Sequence, residues 1–383
     1  MRFRNVLMAA TMGVGALVAM APQAGADTVK IGVIAPLTGG GAPWGIAMDQ
    51  AAHIAAAEAN ADGGLDIGGA KSKVEIIAYD DQYKAAEAVS AYNRLINQDG
   101  VKYVVILTSA STLAIKENIE SDQVLGLTAA FTSKSIDENT HYMMRLSSIP
   151  INYAKPLANW MAQNLKERRV VIVNPNDETG WETAKFDEEA FKAAGFEIAG
   201  SELFDRSQKE FQPLLTKIIA MNPEIINVGS TAPSTSGLII RQARDLGYKG
   251  LFVKTGGPGP KEILEAAGSK EAVEGVVAMA FADPGTEGFR RLAGEYSKAI
   301  GQEPNQMIAP YYDAINVLLH AIEKAGTVDD TAAVIAAMGE VLPMPSIQGG
   351  ELHHGDRQIL SPIFVTQMKD GEAVVVGSVA VTE

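Results

Sequence analysis

The feature that most constrains the fold is a repeated alternation of short apolar, β-branched runs with longer amphipathic helical patterns. Apolar runs cover Val29–Ala35, 74–79 and 103–107, and helical patterns over 46–60 and 85–98 lie between them. Buried parallel strands have this apolar composition, and a helix is the usual connection between two of them. The alternation therefore predicts an α/β fold with a doubly wound parallel sheet.

The same pattern starts again in the second half of the chain. Apolar runs at 169–173, 197–203, 225–228, 251–254 and 276–280 alternate with helical patterns at 151–165, 181–194, 211–221 and 236–246. Two doubly wound, Rossmann-like lobes follow from this restart.

Three helical patterns without a strand between them come next, over 287–300, 308–325 and 331–341, and a hairpin pattern over 361–381 ends the chain. A block of helices alone is not expected to form a third core, so we assign it to the first lobe and the hairpin to the second. The predicted lobes are residues 27–147 plus 281–346 and residues 148–280 plus 347–383. Three crossings would join them as a three-strand hinge, which permits closure about a cleft.

The first 26 residues have the pattern of a secretory signal peptide. Arg2 and Arg4 precede an apolar stretch, and Ala24-Gly25-Ala26 has the small-residue form of a cleavage site. A membrane anchor is the alternative, but the apolar stretch is shorter than the roughly 20 residues that a spanning helix needs. We expect cleavage after Ala26 and a periplasmic location.

Composition excludes several classes of protein. The chain has no cysteine, so it has neither a disulfide framework nor a lipid-modified cysteine after the signal. Its formal net charge of −14 becomes −16 when Arg2 and Arg4 are removed, which argues against nucleic acid and anionic membranes as partners. The five histidines show no metal-ligand spacing, and no nucleophile motif is present. We expect a monomeric, non-enzymatic protein without metal or cofactor.

The turn after the run at 103–107 is the first candidate site. Thr108 interrupts the apolar run, and Ser109-Ala110-Ser111-Thr112 leads into a helical pattern over 113–121. A serine there could cap the helix, since its oxygen accepts from N–H groups of the first turn. The same N–H groups and the helix dipole could instead hold an anion. The local sequence leaves both interpretations open.

Several motifs, taken in their order and spacing, resemble one family. They include Lys30-Ile-Gly-Val-Ile-Ala-Pro-Leu-Thr-Gly39, Tyr79-Asp-Asp81, Leu127-Thr-Ala-Ala-Phe-Thr132, Lys209-Glu-Phe211, Arg241-Gln-Ala-Arg244 and Tyr311-Tyr-Asp-Ala314. Together with the export signal they resemble the periplasmic leucine/isoleucine/valine-binding proteins of branched-chain amino acid transporters, which have the type I periplasmic binding fold. The resemblance covers residues 27–383. It implies two lobes that close on a small-molecule ligand and deliver it to an inner-membrane ABC permease.

The resemblance also implies roles for particular residues. Ser109, followed by Ala110, is similar to the position that holds a ligand carboxylate, with Thr132 as its partner and the Ala130 carbonyl as an acceptor for an amino group. Other positions that match ligand contacts of the family are Trp44, Thr179, Thr231 (or Ala232) and Met307. Phe131 and Trp181 are further candidates for apolar contact with the ligand.

One departure from the family pattern bears on the ligand. Gly256 stands where the amino-acid binders have a glutamate that pairs with the ligand ammonium. A buried ammonium without its carboxylate costs several kcal/mol. We therefore expect a solute that lacks an α-ammonium and keeps a carboxylate or another anionic or polar end. An aromatic, keto or hydroxy acid, or an amide, would fit, and a carboxylate-bearing acid is favoured. The alternatives are an amino acid paired by Asp177 or Glu178, or a ligand-sensing receptor subunit on the same fold.

Overall fold

The computed structural model describes residues 28–381 of the chain. The predicted signal peptide lies outside the described residues. Within them the α/β class and the two-lobed arrangement predicted from the sequence are confirmed, because the long strands form two separate, mainly parallel sheets flanked by helices. No helix in the described range is long and apolar enough to cross a membrane.

The strands follow the predicted apolar runs closely, with short additions. In chain order they are β1 (Val29–Ala35), β2 (Leu65–Ile67), β3 (Ala70–Ser72), β4 (Val74–Asp80), β5 (Tyr103–Ile106), β6 (Leu125–Thr128), β7 (Met143–Arg145), β8 (Arg169–Pro175), β9 (Glu197–Phe204), β10 (Ile225–Asn227), β11 (Leu251–Lys254), β12 (Val277–Ala280), β13 (Met344–Pro345), β14 (Glu351–Gly355), β15 (Gln358–Leu360), β16 (Ile363–Lys369) and β17 (Glu372–Val379).

The helices carry the crossovers between parallel strands and the block that precedes the tail. They are α1 (Ala42–Ala61), α2 (Ala85–Asn97), α3 (Ser109–Asp122), α4 (Pro150–Asn164), α5 (Glu178–Ala193), α6 (Gln212–Ala220), α7 (Pro233–Asp245), α8 (Pro260–Ala267), α9 (Lys270–Val273), α10 (Glu287–Ile300), α11 (Ile308–Ala325) and α12 (Thr331–Glu340).

The first sheet has the strand order β13-β14-β15-β7-β6-β5-β1-β4. Its strands from β4 to β15 pair in parallel, with register partners such as Ile31 and Tyr103 across β1 and β5. The chain order reverses between β1 and β5, so this sheet has its topological switch point there. Helix α11 packs on α1 and on α12, which brings the strand-free helical block against the helices of this sheet.

The second sheet has the order β17-β16-β12-β11-β10-β8-β9. It is parallel from β9 to β12, and the β16–β17 hairpin adds two antiparallel strands at its edge. Its switch point lies between β8 and β10. The terminal hairpin thus pairs with β12 at the edge of this second sheet.

The tail departs from the expected boundary near Ile347. Residues 351–360, which we expected in the second lobe, form β14 and β15, and β15 pairs in parallel with β7 through Gln358 and Arg145. The open edge of β7 supplies backbone partners for these short strands, so the third crossing falls at residues 361–362. Ser148 on the first crossing donates a hydrogen bond to the Ser361 carbonyl at 3.0 Å, which ties two crossings together.

The two lobes begin with the same close approach of a helix to a strand end. A Cβ added at Gly45 of α1 would lie 2.0 Å from the Pro36 carbonyl oxygen, and one at Gly180 of α5 would lie 1.9 Å from that of Pro175. Only glycine permits such a contact. It seats the first turns of α1 and α5 against the carboxyl ends of β1 and β8, at the two switch points.

Candidate functional site

The carboxyl ends of both sheets face one cavity. The loops after β1 and β5 reach it from the first switch point, and the loops after β8 and β10 reach it from the second. In open α/β sheets, ligands bind outside the carboxyl ends of the strands at such points. Its lining residues are Trp44, Tyr83, Leu107, Thr108, Ser109, Ala129, Phe131, Thr179, Ser230, Gly257, Met307 and Tyr311.

The cavity is narrow in this conformation. Its volume is about 30 Å³, which is room for one or two water molecules. An amino acid or an aromatic acid is several times larger, so the two sides must separate for such a molecule to enter. The structure thus has the geometry of a closed cleft.

The first turn of α3 provides the main polar wall. Thr108 caps the helix, because its hydroxyl oxygen accepts from the Ser111 N–H at 3.1 Å. The expectation that Ser109 or Ser111 caps it is therefore wrong: the helix begins earlier than predicted, which moves the cap to Thr108. The helix itself offers no carbonyl to the N–H groups of Ser109 and Ala110, which stand at its positive end.

A buried chain of hydroxyls fixes this turn from behind. Thr108 donates to Ser111 at 2.7 Å, and Ser111 donates to the Asp81 carboxylate at 2.6 Å. Desolvation raises the pKa of Asp81, while the bond from Ser111 opposes that change. Ser111 therefore supports the site without lining it.

Aromatic rings form most of the remaining wall. Trp44 donates its indole N–H to the Pro258 carbonyl at 3.1 Å, which links the first lobe to the second. Its ring lies so close to Gly257 that a Cβ there would be 2.4 Å from Trp44. The Arg206 guanidinium of the second lobe stacks over the Tyr83 ring of the first lobe, with its carbon 4.1 Å from the ring centroid. These contacts bring the two lobes together around the cavity.

Two further rings lie at the back of the cleft. Phe131 packs edge to face on Tyr153, with ring centroids 6.5 Å apart. Tyr311, from α11, is buried, and burial raises the pKa of its phenol and of the Tyr83 phenol. Both hydroxyls therefore stay protonated at neutral pH and can donate a hydrogen bond.

The acidic residues near the cleft are engaged elsewhere. Asp177 caps α5 through the Gly180 N–H at 3.0 Å and pairs with Arg206 at 2.5 Å. Glu178 pairs with Lys134 at 2.9 Å and accepts from the Thr132 hydroxyl at 3.2 Å. Among residues 28–381, no charged side chain lines the cavity.

The structure brings some of the residues selected from the sequence into the lining and places others outside it. Trp44, Ser109, Phe131, Thr179 and Met307 line the cavity.

Four of the other selected residues lie directly behind the lining. Ala130, Thr132 and Thr231 are fully buried, and Gly256 adjoins the lining residue Gly257. The Thr132 N–H donates to the Ser109 hydroxyl at 3.3 Å, so Thr132 supports Ser109. Ala110 is half-buried and does not line the cavity.

Trp181, which we expected to contact the ligand, points away from the cavity. It is 49% exposed, and its indole N–H donates to Asn176 at 2.8 Å. The N-terminal turn of α5 turns Thr179 toward the cavity and Trp181 toward solvent. Trp181 is therefore not part of the lining.

Sequence reasoning missed several lining residues, above all Tyr83, Ser230 and Tyr311. Ser230 lies one position before the predicted Thr231. Tyr311 belongs to a motif that supported the family resemblance. That motif was the only sequence feature that pointed to Tyr311. Tyr83 has a positive φ of 63°, and only the folded loop directs it into the cleft.

A closed two-lobed α/β fold with a polar helix end and aromatic rings in its cleft defines a solute-binding protein. The family model described as periplasmic binding protein matches residues 28–373. The chain therefore belongs to the periplasmic binding protein family and is a substrate-binding protein of the ABC-transporter type. The family consists of non-enzymatic proteins that bind small molecules and work with ABC permeases.

Similar proteins agree with this assignment and confirm the resemblance seen in the sequence. A leucine-, isoleucine-, valine-, threonine- and alanine-binding protein from Pseudomonas aeruginosa is 28% identical over 334 residues, which are 86% of this chain and 87% of the relative. A leucine-binding protein from Thermotoga maritima has a TM-score of 0.80 at 25% identity, covering 92% of this chain and 99% of that one.

A second solved structure has the same fold with a different ligand. It is a solute-binding protein of an ABC transporter from Rhodopseudomonas palustris in complex with 3,4-dihydroxybenzoic acid. Its TM-score is 0.78 at 24% identity, covering 93% of this chain and 98% of that one.

Proposed function

We propose that this protein is a periplasmic binding protein that captures an aromatic carboxylate and presents it to an inner-membrane ABC permease. The observation that carries the proposal is the composition of the cavity lining. Four aromatic side chains line it, Trp44, Tyr83, Phe131 and Tyr311, and no carboxylate does among the described residues. A flat apolar ring fits such a lining, whereas an α-ammonium would find no counter-charge in it.

The polar end of the ligand is assigned to the first turn of α3. The N–H and the hydroxyl of the lining residue Ser109 supply donors where the helix dipole favours a negative charge. The aromatic part would then lie toward Trp44, Phe131 and the second lobe. Tyr311 can donate its phenol proton to a ring substituent or to the carboxylate.

Capture would proceed by lobe closure. Because the cavity in this conformation has room for only one or two water molecules, the lobes must open to admit an acid. They would then close around it with a wider cavity, and the acid would stabilise that ligand-bound closed form. The contacts that already cross the cleft, such as Trp44 with Pro258 and Thr132 with Glu178, would re-form around the ligand.

A branched-chain amino acid is the second candidate ligand. The relatives that bind leucine, isoleucine and valine favour it, and the fold accepts both classes, since the structure from Rhodopseudomonas palustris holds a benzoic acid. The residues at the site favour the aromatic acid, because Asp177 and Glu178 are both paired with cations outside the lining.

Isothermal titration calorimetry of the mature protein with benzoate, benzamide and leucine tests the proposal. The expected result is binding of benzoate and weaker or absent binding of leucine. Native mass spectrometry of the protein as purified would show whether an aromatic acid is retained. Tight binding of leucine with no binding of benzoate would overturn the proposal and support the second candidate.

A further inference from the structure

A buried lysine lies directly behind the second-lobe wall of the cavity. Lys254 ends β11 and is 0% exposed. Its amine donates to the Gly229 carbonyl at 3.2 Å and to the Thr231 carbonyl. These two carbonyls flank Ser230, which lines the cavity. The amine is thus separated from the cavity by the short segment that carries Ser230.

Among the described residues, no carboxylate pairs with this amine. Within residues 28–381, Lys254 has no ion-pair partner. The charged group that acts on the amine is the Arg206 guanidinium, which has the same sign and is itself paired with Asp177. The buried Asp187 carboxyl accepts from Thr255 and Asn227 instead.

An isolated buried ammonium is unfavourable, and burial lowers the pKa of Lys254 well below its usual range. An anion in the cavity changes this balance. Because Ser109 at the start of α3 and Ser230 both line this cavity, a carboxylate held at α3 would occupy the same space that the Ser230 segment borders. Charges interact strongly across a short, water-poor distance, so the anion would favour the protonated amine.

We propose that Lys254 is the counter-charge for the carboxylate of the ligand and takes up a proton when the anion enters the cleft. The proton comes from the buffer and binds the lone pair of the amine nitrogen, while the two carbonyl hydrogen bonds keep the amine in place. Lys254 then determines specificity for anions over neutral analogues without touching them. This inference rests on the proposed function.

Calorimetry in buffers of different ionisation enthalpy measures the proton uptake. Above neutral pH, we expect the wild-type protein to take up a proton on binding benzoate and none on binding benzamide. Asp187→Asn should keep this uptake, since Asp187 is the other buried group near β11 that could bind a proton. The inference would be overturned if the wild-type protein took up no proton on binding benzoate. It would also be overturned if proton uptake disappeared in Asp187→Asn but persisted in Lys254→Met.

The variant Lys254→Met keeps an unbranched side chain, one heavy atom shorter, and removes the charge together with the two amine hydrogen bonds. We expect it to bind benzoate at least tenfold more weakly, to bind benzamide within twofold of wild type and to take up no proton. Lys249→Met, an exposed lysine of the same lobe, is the matched control. Equal losses for benzoate and benzamide would show a structural role only and overturn the inference.

The remaining outcomes are also decisive. If Lys254→Met does not fold, the wild-type and Asp187→Asn calorimetry decides alone. If leucine binds and benzoate does not, the proposed function is wrong, and proton uptake with leucine against leucinamide tests Lys254 by the same criterion. Binding of neither acid overturns both proposals.

Discussion

Ser109 is the lining residue to which we assign the polar end of the ligand. Its hydroxyl lines the cavity and accepts from the Thr132 N–H at 3.3 Å. Ser109→Ala removes a hydroxyl that we assign to the ligand carboxylate. Benzoate binding should weaken by about 1–3 kcal/mol, the usual cost of losing a partner of a charged group.

Calorimetry of Ser109→Ala checks this value against a surface control. Ser90→Ala, on the exposed side of α2 in the same lobe, should leave the affinity unchanged. A loss in Ser109→Ala no larger than that of the control would remove Ser109 from the site.

Asp187 is the residue whose protonation matters most for stability. Its carboxyl is buried and accepts from Asn227 at 2.7 Å and from Thr255 at 2.5 Å. Desolvation raises its pKa to about 7, against hydrogen bonds that lower it. Thr255 and Asn227 precede the loops that carry Gly257 and Ser230, so this carboxyl holds the second-lobe wall of the cleft.

The direction of the resulting pH effect follows from proton binding. Between the unfolded pKa of about 3.9 and the folded value, the folded chain holds one proton more than the unfolded chain. The free energy of unfolding therefore falls as the pH rises through this window, by an amount on the order of a few kcal/mol. Above about pH 7 the loss is complete.

Asp187→Asn removes this titration and should flatten the dependence of the melting temperature on pH between acidic and neutral conditions. Thermal unfolding followed by circular dichroism across that range measures it, with the exposed Asp245→Asn as the control for loss of one negative charge. An Asp187→Asn curve parallel to that of wild type would contradict the prediction.

At the scale of single residues, the sequence points to about half of the cavity. Trp44, Ser109, Phe131, Thr179 and Met307 were selected from it and line the cavity; their binding of a ligand stays a prediction. Tyr83 could not be selected in this way. Its position depends on a left-handed backbone conformation and on contact with Arg206, which is far away in the sequence. Neither feature produces a recognisable pattern in the local sequence.

At the scale of elements, the two switch points depend on close packing of a helix start on a strand end. Gly180→Ala in α5 would bring a methyl group to 1.9 Å from the Pro175 carbonyl oxygen. The helix must shift, which moves Thr179 out of the lining. We expect destabilisation by about 1–3 kcal/mol, the usual cost of overpacking.

Gly294 in α10 is the control for Gly180, because it is also a helical glycine but has space for an added methyl group. It is an exposed helical glycine, and outside its own helix backbone no described atom lies within 4 Å of an added Cβ. Gly294→Ala should therefore stabilise the protein by about 0.5–1 kcal/mol through helix propensity. Chemical denaturation of both variants measures the two changes. Similar values of the same sign would contradict the packing argument at Gly180.

Helices and strands were predicted correctly where the hydrophobic periodicity of the sequence is strong. They were missed where tertiary contacts determine the secondary structure. The core strands and the three consecutive helices α10, α11 and α12 agree with their patterns within a few residues. The strands β13, β14 and β15 are only two to five residues long. So short a segment carries little periodic signal, and the free edge of β7 determines its pairing.

At the scale of the whole molecule, closure is maintained by contacts between lobes in addition to any ligand. Glu178 at the start of α5 accepts from Thr132 at 3.2 Å and pairs with Lys134 at 2.9 Å. Both partners belong to the segment after β6 of the first lobe. Glu178 therefore favours the closed state, and removing its charge should shift the population toward open forms.

Glu178→Gln is expected to raise the radius of gyration of the ligand-free protein in small-angle X-ray scattering. Its affinity for benzoate should fall by no more than about fivefold, because the Lys134 end of the pair is exposed to solvent and such pairs are weak. At saturating benzoate, wild type and variant should reach the same compact radius of gyration, since the ligand itself then holds the lobes together.

Glu189→Gln, on the exposed face of the same helix, removes one charge away from the cleft and should behave as wild type. A radius that benzoate leaves unchanged in wild type would contradict closure itself, whereas an unchanged ligand-free radius in Glu178→Gln would show only that other contacts, such as Trp44 with Pro258, suffice to hold the closed form.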